Sequence, residues 1–87
     1  RMYDTDEPVS VQLYCHVSAM KYLIDKFGSD FETVVVDDEH FKATVSVCTS
    51  TTFYSWVFGF NGKIKVEGPQ HVVEAYKEML LNALSEM

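Results

Sequence analysis

The sequence predicts an α+β fold: a four-stranded antiparallel sheet with two helices on one face, followed by a C-terminal amphipathic helix. Three observations lead there. Residues 9–14 and 40–48 alternate apolar with polar side chains, the period of a half-buried strand. Residues 17–27 and 72–84 repeat apolar side chains at helical spacing. The chain has 87 residues, 47% hydrophobic and 14% aromatic, enough for one small core and too apolar for a disordered segment.

Residues 1–8 are polar, acidic and closed by Pro8, and they read as a linker or the tail of a preceding unit. The folded domain is expected over residues 9–87. Val9, Val11 and Leu13 then alternate with Ser10, Gln12 and Tyr14 as the first strand. Val17, Met20, Leu23, Ile24 and Phe27 form a helical stripe, and Gly28 is placed to cap it in a left-handed conformation. Phe31 to Val36 is a second, β-branched strand that ends in the acidic turn Asp37-Asp38-Glu39. In the third strand Phe41, Ala43, Val45 and Val47 share one side, while His40, Lys42, Thr44, Ser46 and Cys48 share the other. Ser50 or Thr51 is a candidate cap for a short helix through Phe53, Trp56, Val57 and Phe60. Gly59, Asn61 and Gly62 break that helix. Ile64 and Val66 alternate with Lys63, Lys65 and Glu67 in a fourth strand, and Gly68-Pro69 punctuates. The last helix carries Val72, Val73, Tyr76, Met79, Leu80, Ala83 and Leu84 on one face. The order βαββαβ plus a helix is that of a ferredoxin-like sandwich, with strand order 4-1-3-2.

Composition excludes several functions. The net charge is −6, from 13 acids against 7 bases. Nine acids and three bases fall in residues 1–39, and four of each in residues 40–87. Phosphate backbones are gripped by Lys and Arg, so an acidic domain is a poor nucleic-acid reader on its own. The longest uncharged run, Ala43 to Gly62, is broken by seven Ser and Thr, so no segment reads as a membrane span. No signal peptide is recognisable. The chain opens on Arg rather than Met, and it is expected to be part of something longer.

Cys15 and Cys48 stand 33 positions apart, a spacing that suits neither a zinc site nor a redox dithiol. They close opposite ends of adjacent strands, roughly 20 Å apart at about 3.3 Å per residue. No disulfide spans that distance. Free cysteines suit an intracellular, cytoplasmic domain. His16, His40 and His71 are scattered and promise no metal site or other cofactor. His16 reads as a capping residue rather than a general base, and the three hairpin acids as a solvated turn rather than a cation site. No catalytic motif is found, and a non-enzyme is expected.

Two surfaces stand out. The sheet face away from the helices is expected to carry Ser10, Gln12, Tyr14, Lys42, Thr44, Ser46, Lys63, Lys65 and Glu67, which gathers three of the seven bases. RNA-recognition domains stack bases on aromatics of both central strands, but the outward positions of the third strand hold none. A polar face, or one covered by the last helix or a second subunit, is the leading expectation, with an anionic-ligand site behind it. Tyr54 and Phe58 fall opposite Phe53, Trp56 and Phe60, so both are expected at the surface.

The stretch Phe53 to Pro69 resembles the C-terminal extension that follows the WYL domain in bacterial transcriptional regulators, the WCX domain. The likeness rests on the Phe and Trp of the short helix, the Gly-x-x-Gly turn, Lys-Ile-Lys-Val, Gly-Pro, and an amphipathic helix of the Val-Val-x-x-Tyr-Lys-x-Met-Leu kind. Upstream, Val-Gln-Leu-Tyr-Cys and Leu-Ile-Asp-Lys-Phe-Gly are similar to that family's first strand and helix. The resemblance implies a regulator with an N-terminal helix-turn-helix DNA reader, a WYL effector domain and this extension, which contributes to effector response and dimerisation. DNA would then be bound by a domain outside this chain, and the effector would be nucleic acid or a small anion. Trp56, Gly59, Gly62 and Pro69 match the extension's pattern and are read as structural: a core ring, two turn glycines and a helix start. The expected contact surfaces are the open sheet face (Tyr14, Lys42, Lys63, Lys65) and the last helix (Tyr76, Leu80, Leu84). An ACT-like effector-binding domain shares the topology but usually has glycine in the loop after the first strand, where this chain reads Cys15-His16-Val17-Ser18. An acylphosphatase-like enzyme would need an arginine in that loop, and the only arginine is Arg1.

Overall fold

The computed structural model describes residues 7–87. The acidic stretch 1–8 therefore falls largely outside the described residues, and Glu7 and Pro8 are exposed ahead of the first strand. Four strands, β1 (Val9–His16), β2 (Glu32–Val35), β3 (His40–Val47) and β4 (Ile64–Gly68), build one antiparallel sheet of order β2-β3-β1-β4. Three helices accompany them: α1 (Met20–Phe27), entered through a 3-10 turn at Val17–Ala19, then α2 (Thr51–Phe58) and α3 (Gln70–Ser85).

The central pair is β1 with β3, in register from Val9 opposite Val47 to His16 opposite His40. Period-2 alternation then decides what is buried. Val11, Leu13 and Cys15 of β1 join Phe41, Ala43 and Val45 of β3 on the inner face, under Leu23 of α1, Phe53, Tyr54 and Val57 of α2, and Val72 of α3. The cysteines behave as expected: neither is in a disulfide, with Cys15 in the core and Cys48 exposed at the far end of β3.

Local chemistry sets the boundaries. The Ser50 side chain accepts the Phe53 N–H at 3.3 Å and caps α2. Ser50→Ala is expected to cost about 1 kcal/mol, read as a fall of roughly 4–8 °C in Tm for a domain of this size. Gly28 ends α1 at φ 80°, ψ −172°, a positive-φ conformation but not the helical left-handed one expected. Asn61 (φ 53°) and Gly62 (φ 91°) form the tight turn into β4. Gly59, by contrast, is right-handed helical at φ −63°, and a Cβ there would meet only ordinary contacts. Its glycine is not demanded by the backbone. Pro69 precedes α3 as its N-cap residue, after a cis Gly68–Pro69 peptide.

Three further expectations need correction. Tyr54 is not at the surface: it is 1% exposed, because α3 packs along the side of α2 that the periodicity left open. There Tyr54 stacks on Tyr76, centroids 5.2 Å apart and planes 9° from parallel. Trp56 is half-buried rather than fully in the core, and it packs edge-on to Phe27 and Phe60 with Lys26 Nζ 5.4 Å over its ring. The second strand is shorter than expected, and at the sheet edge, where the expected order puts it, Val34 and Val35 remain 65% and 80% exposed. Phe58 is exposed, as expected.

Candidate functional site: the Tyr14 corner of the open sheet face

The face of the sheet opposite the core is open to solvent, and α3 does not cover it. Helix α3 lies against β4 and α2 instead. On the open face the register aligns Lys42 of β3, Tyr14 of β1 and Lys65 of β4 in one cross-strand row. The neighbouring row pairs His16 with His40. The antiparallel register that puts Val9 beside Val47 thus brings the end of β1 and the start of β3 to one corner.

At that corner Tyr14 stacks on His40 at 5.1 Å and 19°, and His16 meets His40 edge-on at 5.6 Å and 89°. Lys63, Lys65, Asn61 and Gly62 close the other side, around a shallow pocket of about 280 Å³. Both imidazoles are held by local bonds. His16 Nδ1 accepts the Ser18 backbone N–H at 3.1 Å, with Ser18 Oγ 2.8 Å away, and so caps the 3-10 turn. This is the capping role expected of it. His40 Nδ1 lies 2.9 Å from Asp37 Oδ1. Asp37 also accepts the Glu39 N–H at 2.8 Å. That backbone bond, with His40 second, holds its carboxyl below the usual carboxylate range. The hairpin acids are a hydrogen-bonded turn, and no metal-binding group occurs among the described residues.

The expected contact residues divide. Tyr14, Lys63 and Lys65 come together at the pocket. Lys42 does not join them: its Nζ pairs with Glu67 Oε1 at 3.2 Å, across the neighbouring strand. On α3, Tyr76 packs on Tyr54 and lines, with Leu80, Val57, Phe58 and Val73, a second groove of about 480 Å³ between α2, β4 and α3. Leu84 is 63% exposed, as is Leu81. Sequence reasoning overlooked the two histidines and Asn61 as members of the corner. The register of β1 on β3 brings the two histidines together, and that long-range pairing is not written in the alternation of either strand. Nothing in the composition near Asn61 marked it.

The model of the WCX domain family matches residues 7–84, and the chain belongs to that family. No curated protein and no solved structure matches it. No helix among the described residues is long and apolar enough to cross a membrane.

Proposed function

We propose that this chain is the C-terminal regulatory and dimerisation domain of a WYL-type helix-turn-helix transcriptional regulator, a non-catalytic, cytoplasmic part of a bacterial protein. The observation that carries this reading is the WCX match over residues 7–84, nearly the whole chain. The sheet order, read from the β4 edge as 4-1-3-2, supports a ferredoxin-like sandwich as its fold. The groups with displaced pKa values support a structural rather than a catalytic reading. Cys15 and Tyr54 in the core and half-buried Tyr76 beside it are pushed up by burial, and Asp37 is pulled down by its own turn. Leu81 and Leu84 give α3 an exposed apolar end suited to contact with a second copy. In this reading the DNA reader and the effector-sensing WYL domain precede the chain. The coding sequence upstream of Arg1 tests that: a helix-turn-helix followed by a WYL domain is expected, and any other architecture overturns the assignment.

A further inference from the structure

We propose that the Tyr14 corner binds a phosphate-bearing small molecule through Lys63, Lys65 and the His16 imidazole; its meaning as an effector site rests on the regulatory reading above. The first ground is a local reversal of charge. The chain carries 13 acids against 7 bases, yet the pocket lining itself holds two lysines, two histidines and a tyrosine, with the Asp37 carboxylate set against His40 Nδ1 at 2.9 Å. At physiological salt, charges beyond about 8 Å are largely screened, so the lining matters more to a bound anion than the net −6. The second ground is that these cations are uncommitted. Lys42 and Lys77 have carboxylate partners, whereas neither Lys63 nor Lys65 has one among the described residues.

The third ground is the fixed orientation of the hydrogen-bonding groups. A backbone N–H can only donate, so His16 Nδ1 accepts from Ser18, and the neutral ring carries its proton on Nε2. The Asp37 carboxylate can only accept, so His40 donates from Nδ1, and its neutral ring keeps a lone pair on Nε2. The two rings are therefore set in opposite tautomers. His16 has a donor left for a phosphate oxygen, and a neutral His40 has an acceptor left for a ligand hydroxyl. The Gly62 amide, in its positive-φ turn, donates to no protein acceptor among the described residues. Tyr14 adds a phenol. A volume of about 280 Å³ suits a phosphate group with little attached.

The test is amide NMR of the 15N-labelled 87-residue chain, titrated separately with sodium pyrophosphate, adenosine monophosphate and adenosine. Pyrophosphate and the nucleotide are expected to shift the Tyr14, Gly62 and Lys63 resonances, and adenosine to leave them in place. The double variant Lys63→Gln/Lys65→Gln replaces exposed side chains, so its spectrum should stay dispersed while affinity falls at least about tenfold, or 1.4 kcal/mol. Binding of pyrophosphate as tightly as the nucleotide supports the site with free phosphate as its source. Tighter nucleotide binding supports it with a nucleotide as the source. Three results overturn it: no shift at about 10 mM anion, ten times a Kd of 1 mM; equal shifts with adenosine; or unchanged affinity in the double variant. These readouts are independent of oligomeric state, so failure of the site and failure of the dimerisation reading are distinguishable.

Discussion

Tyr54→Ala is expected to lose about 3–5 kcal/mol of stability, the range for removing a large buried aromatic. A chain of this length holds roughly 5–10 kcal/mol in total, so the variant should be substantially unfolded at physiological temperature. The size of the effect follows from where the ring sits. Tyr54 fills the space between α2 and α3, stacked on Tyr76 and set against Phe53 at 5.5 Å. Removing it opens a cavity lined by residues on two helices, which cannot both collapse into it. Tyr54→Phe isolates the hydroxyl. That group reaches the Val72 carbonyl at 3.5 Å and also bonds to Thr49, itself buried. Its loss is expected to cost about 1 kcal/mol. Urea unfolding of both variants checks the pair. Similar losses for Ala and Phe would mean that the ring's packing contributes little, contrary to the fold described.

Alkaline pH is expected to unfold the domain, with Cys15 as a leading cause. Its thiol is wholly buried on β1, and burial pushes its pKa from 9.0 to about 12. A thiol is neutral when protonated, so a raised pKa means that the native state holds its proton more tightly than the unfolded chain does. The stability this reflects is intact below pH 9 and is lost as pH rises from 9 through about 12. At 1.36 kcal/mol per pKa unit the full loss is of order 4 kcal/mol. Tyr54 and Tyr76, also raised by burial, push in the same direction above their ordinary value of 10.0. Cys15→Ala removes the thiol's share. Its stability should be lower at pH 8, where a buried side chain has been cut back, but should fall less steeply between pH 9 and 11. Parallel pH profiles for the two proteins would show that the thiol does not titrate on unfolding. The same burial makes Cys15 unreactive toward alkylating reagents in the folded state, while Cys48 is exposed to them.

Much of the fold was legible because one face of the sheet is dry and the other wet. Alternation through Val11, Leu13 and Cys15, and again through Phe41, Ala43 and Val45, specifies both strands and the side each residue faces. The short helix was harder to read. Phe53, Tyr54, Trp56, Val57, Phe58 and Phe60 crowd so closely that periodicity assigns a buried stripe without showing that a second side is also covered. Only the docking of α3 decides that Tyr54 is interior and Phe58 exposed. Edge strand β2 gave the weakest signal. Its valines look like core in a list of residues, but the strand has a neighbour on one side only and little packed above it.

The candidate site was legible in part for a related reason. Sheet alternation placed Tyr14, Lys42, Lys63 and Lys65 on one face, yet it could not foresee that Glu67 would hold Lys42. Nor could it show that the turn at Asn61 and Gly62 folds back against the histidine pair. Both depend on how β4 docks beside β1, where the register shifts between Gln12 and Leu13. A register shift of this kind is not written in the period of either strand.

The central claim, that this domain joins two copies of a regulator, is tested most directly by sedimentation velocity at micromolar concentration. The proteins to compare are the full regulator, a version ending before residue 9, and the double variant Leu81→Asp/Leu84→Asp. A dimer is expected for the full regulator. The truncated protein is expected to be monomeric, and the variant to dissociate at concentrations where the parent does not, since both leucines are 63% exposed and are replaced without touching the core. A full-length protein that sediments as a monomer, or a truncated one that still dimerises, would contradict the account.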